Sequence, residues 1–153
     1  MSEGAHAVPG ATPVFVDTSA WYAIFDEDDG EHARATSVLN AIHAGDLPYR
    51  PIYTAGHVLA ELATLLLRRG HDITSRALSQ IRDSPNVIVI HPDQETFDAA
   101  MTEFDRYDDH DISLVDHLTG VLAAERNVDH VFAFDGDFRT LGFTVVPYDT
   151  GEP

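Results

Sequence analysis

Short runs of apolar and β-branched residues alternate along this chain with longer segments that repeat at helical spacing, and this alternation is the strongest constraint on its fold. The apolar runs predict strands at Pro13–Asp17, Tyr49–Tyr53, Val87–Ile90, His130–Phe134 and Phe143–Val146. The helical pattern predicts helices at Ser19–Phe25, Glu31–Ala44, Thr54–Arg69, Asp72–Arg82, Asp93–Phe104 and Ser113–Arg126. Strands that alternate with helices favour an α/β fold, in which a mostly parallel sheet is covered by helices on both faces.

The length of 153 residues suits one domain with a single core. We expect a flexible lead over residues 1–12, a domain over residues 13–149 and a short tail over residues 150–153, with no internal repeat or linker. The lead has no apolar stretch of the kind that a signal peptide needs. No apolar run approaches the roughly 20 residues of a membrane span. The absence of cysteine excludes a disulfide framework, a thiolate zinc site and a cysteine nucleophile. We therefore expect a cytoplasmic protein without membrane association.

The charge balance is unusual. The chain has 26 acidic and 9 basic residues, a formal net charge of −17, and every basic residue is an arginine. Such a chain repels itself at low salt, and that repulsion is largely screened at molar salt. We therefore hypothesise a salt-loving (halophilic) host. The same charge argues against a nucleic-acid partner, because nucleic-acid-binding proteins usually carry a basic patch.

Four acidic residues are placed where a shared site can form. Asp17 and Asp135 follow predicted strands, Asp116 lies in the first turn of a predicted helix, and Glu61 lies inside another. In open α/β sheets, ligands bind beyond the carboxyl ends of the strands. A carboxylate cluster there repels itself unless a cation neutralises it. Oxygen ligands without His or Cys fit Mg²⁺ or Mn²⁺, ions that support the attack of water on a phosphodiester.

Each of these residues also has a simpler local explanation. Asp17 can cap the helix that follows it, and Asp116 lies three residues after Ser113, the spacing of a capping box. Asp135-Gly136 is a common turn dipeptide. Glu61 has no basic partner three or four residues later, although a solvated helix face would also explain it. The joint pattern of the four residues, and no single one, supports a metal site.

Four sequence motifs resemble those of PIN domains, and in particular of VapC-like toxins. They are Val14-Phe-Val-Asp-Thr-Ser-Ala20, His57-Val-Leu-Ala-Glu-Leu62, Asp111-Ile-Ser-Leu-Val-Asp-His117 and Val131-Phe-Ala-Phe-Asp-Gly-Asp-Phe138. The resemblance runs from about Pro13 to Val146. It implies a three-layer α/β/α fold with about five parallel strands, and a ribonuclease that uses Mg²⁺ or Mn²⁺ on RNA. It further implies that Asp17, Glu61, Asp116 and Asp135 are the catalytic metal ligands. A homodimer and an antitoxin partner, with an arginine over the carboxylates, are expected on the same basis.

The chain departs from this pattern at Ala133, where relatives often carry Ser or Thr. Asp137 is a candidate outer-shell metal ligand, and Thr18 and Ser19 are candidate supports of the site, although each of the three could instead start a helix. The histidines lack a paired metal spacing, so most are expected at the surface. Four arginines lie near the motifs and are candidate phosphate contacts: Arg68, Arg69, Arg106 and Arg139.

Other function classes fit the sequence less well. A phosphatase with an aspartate nucleophile would need a second Asp two residues after Asp17, where Ser19 stands. A receiver domain needs a lysine, and the chain has none. A catalytically inactive PIN-like scaffold and a housekeeping RNA-processing nuclease remain as alternatives. The sequence does not identify the RNA that is cleaved.

Overall fold

The computed structural model describes residues 10–152 and contains one sheet of five parallel strands in the order β3-β2-β1-β4-β5. The strands are β1 (Thr12–Val16), β2 (Tyr49–Ala55), β3 (Val87–Ile90), β4 (His130–Phe132) and β5 (Thr144–Val146). Every neighbouring pair in this sheet is parallel. The predicted α/β class with a parallel sheet of about five strands is therefore confirmed. Most of the predicted lead, Met1–Pro9, and the last residue, Pro153, lie outside the described residues.

Seven helices occur in the described part of the chain. They are α1 (Thr18–Phe25), α2 (His32–Ala44), α3 (Gly56–Leu66), α4 (His71–Asp83), α5 (Gln94–Arg106), α6 (Leu114–Glu125) and α7 (Asp137–Thr140). A 3₁₀ turn, Leu67–Arg69, continues α3. Helix α1 packs against α2 and α3, α3 packs against α4, and α5 pairs with α6. Within the described residues, no helix is both long and apolar enough to cross a membrane.

The core is centred on β1, which lies between β2 and β4. Val14, Phe15 and Val16 are fully buried, as expected for the central strand of a parallel sheet with helices on both faces. The central position of β1 also fixes where Asp17 lies. This residue directly follows the strand, so its side chain is presented at the carboxyl edge of the sheet.

The second strand is longer than the sequence suggested. Thr54 and Ala55 pair with Val89 and Ile90 of β3, so β2 runs to Ala55 and α3 starts at Gly56 instead of Thr54. The Thr54 hydroxyl donates to the Val16 carbonyl oxygen at 3.0 Å and is thereby held within the sheet. The predicted start of the helix was wrong because this tertiary pairing outweighs the local preference of Thr for helix starts.

Smaller differences concern an irregularity inside β2 and the predicted ends of α3 and β4. Pro51 is accommodated in β2 by an irregular register, in which Thr12 pairs with Tyr49 but Val14 pairs with Ile52. The regular part of α3 ends at Leu66, three residues before the predicted end at Arg69. β4 ends at Phe132, so Asp135 lies in the following loop and does not directly end the strand.

Candidate functional site: a cavity lined by carboxylates

The two oxygen atoms of the Asp17 carboxylate have different surroundings. Oδ2 accepts hydrogen bonds from the Ser19 backbone N–H at 3.1 Å and from the Ser19 hydroxyl at 2.8 Å, which is an N-cap of α1. Oδ1 is buried and has no hydrogen-bond partner among residues 10–152. The cap explanation is therefore correct for one oxygen, while the other oxygen remains available to a ligand.

Asp116 is placed by the start of α6. Ser113 is the N-cap, and its hydroxyl accepts the Asp116 backbone N–H at 3.1 Å. This is half of the capping box that the spacing predicted. Asp116 is only 7% exposed, and its carboxyl lies beside the Asp135 carboxyl. Its acidic group is thus directed at the other acids.

The loop after β4 brings two further carboxylates to the same place. Asp135 Oδ1 accepts the Asp137 backbone N–H at 2.9 Å, which fixes the turn at Asp135-Gly136. Asp116, Asp135 and Asp137 each offer a carboxylate oxygen, and these three oxygens lie within 4.8 Å of one another. Such a group of oxygens is compact enough to share one divalent ion.

An open cavity of about 330 Å³ collects all five predicted site acids: Asp17, Glu61, Asp116, Asp135 and Asp137. Thr18, Ser19, Leu65 and Ser113 complete its lining together with a sixth acid, Asp111. Sequence reasoning did not select Asp111. The only signal for it was its position at the start of the third motif, five residues before Asp116.

Larger cavities lie elsewhere, so size does not identify the site. One of about 500 Å³ lies between the end of α2 and the starts of β2 and β3, and one of about 400 Å³ lies between α5 and α6. Neither includes the group of three close carboxylates, which is the only such metal-ligand group found within residues 10–152. We therefore assign the candidate site from its chemistry.

The electrostatics of the cavity disfavour several ionised carboxylates without a cation. Burial raises the pKa of Asp17 from 3.8 to about 6, and the charge of Asp135 adds to this rise, while hydrogen bonds from Ser19 oppose it. Burial, the charge of Asp17 and the hydrogen bond with Asp135 raise the pKa of Asp116 well above its usual range. Burial and Asp135 also raise the pKa of Asp137. A hard cation would relieve this repulsion and would pair the free Oδ1 of Asp17, so the residues fit Mg²⁺ or Mn²⁺.

Ser19 links two of the acid-bearing segments. Its hydroxyl donates to Asp17 Oδ2 and accepts the Phe134 backbone N–H at 2.9 Å. The residue therefore ties the end of β1 to the loop that carries Asp135. Ala133 lacks the hydroxyl expected from relatives, and the hydroxyl that supports this loop comes from Ser19. The Thr18 hydroxyl is buried and has no partner within the described residues.

Helices α3 and α6 are joined beside the cavity by a hydrogen bond between two side chains. His57 Nε2 lies 2.9 Å from the Thr119 hydroxyl, which is fully buried. His57 is one turn before Glu61, and Thr119 is one turn after Asp116. Burial, with a smaller effect of nearby His91, lowers the pKa of His57 to about 4, so the ring is neutral at pH 7.

His117 differs from the expectation that the histidines are mostly surface residues. It is 2% exposed, and its ring packs against Phe104 and Tyr107. Its position in the third motif therefore reflects packing between α5 and α6. His110, in contrast, is exposed and pairs with Asp109 at 2.9 Å.

With this geometry established, the class of the protein follows from its match to a known family. Residues 14–144 match the family model described as PIN domain, and the chain belongs to this family. The resemblance that the four motifs suggested is thereby confirmed.

Individual relatives agree with this assignment. The chain is 33% identical to the 23S rRNA-specific endonuclease VapC20 of Mycobacterium tuberculosis over 133 residues, which are 87% of this chain and 97% of that protein. The crystal structure of VapC20, described as a sarcin-ricin loop cleaving toxin, matches with a TM-score of 0.77 over 85% of this chain and 95% of that chain.

Two more distant structures share the fold. FitAcB from Neisseria gonorrhoeae has 16% identity and a TM-score of 0.62, over 86% of this chain and 95% of that chain. VapBC2 from Rickettsia felis, bound to a DNA fragment from its promoter, has 14% identity and a TM-score of 0.61, over 88% of this chain and 97% of that chain. At these identities the similarity supports the architecture alone.

Proposed function

We propose that this protein is an endoribonuclease that hydrolyses RNA phosphodiester bonds with Mg²⁺ or Mn²⁺, and that it is the toxin of a toxin–antitoxin pair. The observation that carries this proposal is the convergence of carboxylates from four separate segments in one open cavity. Membership of the PIN family and the 33% identity to a named rRNA endonuclease support it.

The proposed metal ligands are Asp17, Glu61, Asp116 and Asp135, and Asp137 lies close enough to join them. A bound ion would lower the pKa of a water molecule and stabilise the negative charge that develops at the phosphate. Other residues of the chain position these carboxylate ligands. Ser19 fixes the orientation of the Asp17 carboxylate, and Ser113 starts the helix that carries Asp116.

The metal site can be tested by substitution of one acid. Asp116→Asn should abolish cleavage and weaken Mn²⁺ binding, measured by calorimetry, by at least about tenfold. Asp98→Asn, an exposed change on α5, is the matched control and should behave like the wild type. Unchanged Mn²⁺ affinity in Asp116→Asn would contradict the proposed ligand set. Absence of cleavage by the wild type on every RNA tested would favour the inactive scaffold.

For the substrate, we propose a structured loop of 23S ribosomal RNA, by analogy with VapC20. Primer extension on RNA from ribosomes treated with the protein and Mn²⁺ would locate the cleavage. A single cut in 23S RNA that is absent with Asp116→Asn would support this substrate. Cleavage of transfer RNA with intact ribosomes would contradict it, and a processing cut needed for growth would favour the housekeeping alternative.

The homodimer that we propose has a candidate surface on α5. Phe97, Met101 and Phe104 follow one another at helical spacing and remain 40%, 48% and 45% exposed. An apolar stripe of this kind is typical of an interaction surface.

For the antitoxin, we propose a segment that covers the cavity and places an arginine on the carboxylates. A small neighbouring gene whose product co-purifies with this chain and inhibits it would support that partner.

We further propose a halophilic host, on the basis of the net charge of −17 and the absence of lysine, and a cytoplasmic location, on the basis of the absence of cysteine. Screening by salt should stabilise such a chain. Urea unfolding in low and in multimolar KCl tests this. Equal or lower stability at high salt would contradict the halophilic host.

A further inference from the structure

The acidic cavity is walled by two helices that extend beyond it. α1 contributes Thr18 and Ser19 to the lining, and α3 contributes Glu61 and Leu65. The two helices pack against each other. The next turn of α1 on the same face presents Tyr22, and the 3₁₀ turn after α3 presents Arg68. By helical spacing, the face of this helix pair that borders the cavity therefore continues to an aromatic ring and a guanidinium, which lie outside the cavity lining itself.

The Arg68 guanidinium is near enough to Tyr22 for its charge to act on the phenol. A hydrogen bond to Asp26 and partial burial raise the pKa of Tyr22, and the nearby Arg68 guanidinium opposes this rise. Asp26 is itself paired with Arg69, at 3.5 Å. Arg68 Nε donates to the Leu65 carbonyl oxygen at 3.4 Å, which holds the guanidinium near a residue that lines the cavity.

Arg68 also differs from the other three arginines that the sequence placed near the motifs. Arg69 pairs with Asp28 at 2.6 Å, and Arg139 donates twice to Asp149, at 3.0 and 2.6 Å. Arg106 lies 3.7 Å from Glu103. Within residues 10–152, Arg68 has no carboxylate at ion-pair distance. Of the four candidates, Arg68 is therefore the one that pairs with no acid in the described part of the chain, and we expect its guanidinium to be available to a phosphate.

We propose that Tyr22, Leu65 and Arg68 form a subsite for a single-stranded RNA segment next to the scissile phosphate, with a base against Tyr22 and a phosphate on Arg68. This inference rests on the proposed ribonuclease function. Arg68 follows Glu61 by seven residues, or about 10 Å along the helix, so it reaches a neighbouring phosphate and not the scissile one. Guanidinium groups bind phosphate in a bidentate manner, and unpaired bases stack on aromatic rings.

The test uses Arg68→Gln with Arg76→Gln as a matched control. Arg76 is also exposed and also donates its Nε to a carbonyl oxygen of its own helix at 3.4 Å, but it lies on α4. Cleavage of a short single-stranded RNA is measured in a KCl series at fixed Mn²⁺. Arg68→Gln should raise KM about tenfold, with kcat changed by less than about twofold. The slope of log KM against log KCl should fall by about 0.7, the loss expected for one phosphate contact in a single strand.

Further variants separate the two parts of the subsite. Arg68→Lys should restore the salt slope but only part of the affinity. Tyr22→Leu should raise KM without a change of slope, whereas Tyr22→Phe keeps the ring and should bind almost normally. The inference would be overturned if the KM and the salt slope of Arg68→Gln equalled those of Arg76→Gln. It would also be overturned if Arg68→Gln lowered kcat while KM stayed constant.

A binding measurement keeps this inference separate from the proposed function. Fluorescence anisotropy of a labelled single-stranded RNA is followed in the Asp116→Asn background, with and without Arg68→Gln. A tenfold weaker affinity of the double variant would support the subsite even if the wild type cleaved no RNA. Equal affinities would refute the subsite even if the wild type cleaved RNA efficiently.

Discussion

Replacement of Asp17 by Asn should stabilise the metal-free protein while it abolishes activity. Burial raises the pKa of this carboxyl from 3.8 to about 6, so the ionised form is disfavoured in the folded state. Each pKa unit corresponds to about 1.36 kcal/mol, which makes the full effect about 3 kcal/mol. For a raised pKa, the stability contribution is complete below the unfolded value and is lost as the pH rises through the folded value. The metal-free wild type therefore loses this stability between about pH 4 and pH 6.

Asn removes the ionisation and keeps an oxygen that can accept from Ser19, and Asn and Asp are about equally good caps. We expect the gain in the free energy of unfolding from Asp17→Asn to grow from about 1 to 2 kcal/mol at pH 5 to about 3 kcal/mol at pH 8. For a chain of this length, 1 kcal/mol corresponds to roughly 2 to 4 °C in Tm.

The assay is thermal and urea unfolding in EDTA at both pH values, with the exposed change Asp98→Asn as the control. The control should change little at either pH. Saturating Mn²⁺ should reverse the order, because it stabilises only the wild type through Asp17. A loss of stability in Asp17→Asn at pH 8 in EDTA would refute the reasoning and show that the charged cap dominates.

Three further predictions concern the surroundings of the site. Thr119→Val removes the hydrogen bond between His57 of α3 and Thr119 of α6, and it should weaken Mn²⁺ binding several-fold in calorimetry. Thr119→Ser should restore the affinity. Unchanged affinity in Thr119→Val would exclude an effect of this bond on the position of the metal ligands. Met101→Glu should shift a homodimer to a monomer in light scattering, and an unchanged mass would exclude the α5 surface. Cleavage at fixed Mn²⁺ should tolerate or need molar KCl because long-range repulsion from RNA is screened, and a steep loss from low salt upward in folded protein would contradict this.

The order of the five strands and the six longer helices was predictable because each of these elements carries its own hydrophobic period. The four-residue helix α7 (Asp137–Thr140) was not predicted, because it is too short to show such a period. The extension of β2 over Thr54 and Ala55 was not, since it depends on β3 and on the Val16 carbonyl, both distant in sequence. The shortened β4 has the same kind of cause. The Ala133 N–H still donates to the Val146 carbonyl oxygen at 3.1 Å, but the Phe134 N–H donates to the Ser19 hydroxyl, where the chain enters the loop that carries Asp135. A local sequence pattern indicates the propensity of a segment to form a strand, but the pairing with neighbouring strands determines where that strand ends.

The candidate site was predictable as a set of acids but not in its detail. The predicted N-caps at Asp17 and Ser113 are both confirmed. They are compatible with the site because the first cap uses Asp17 Oδ2 and leaves Oδ1 available. The second uses the Ser113 hydroxyl and the Asp116 backbone N–H, which leaves the Asp116 carboxyl available. A one-letter pattern cannot distinguish the two oxygens of one carboxylate. Asp111 was missed because its loop contains several acids, and only the folded chain shows which of them faces the cavity.

Burial distinguishes two of the proposed metal ligands from most other acids in this acidic chain. Among the residues described, three carboxylates are buried: Asp17, Asp26 and Asp116. Asp26 is satisfied, because a hydrogen bond from Tyr22, the Asp28 backbone N–H and the charge of Arg69 together lower its pKa. Asp17 and Asp116 have no basic partner within ion-pair distance in the described part of the chain, and burial raises the pKa of each. Buried ionisable groups with strongly shifted pKa values and no partner are typical of functional sites. This supports a cation-binding role for Asp17 and Asp116, and a structural role for Asp26, whose charge is already paired.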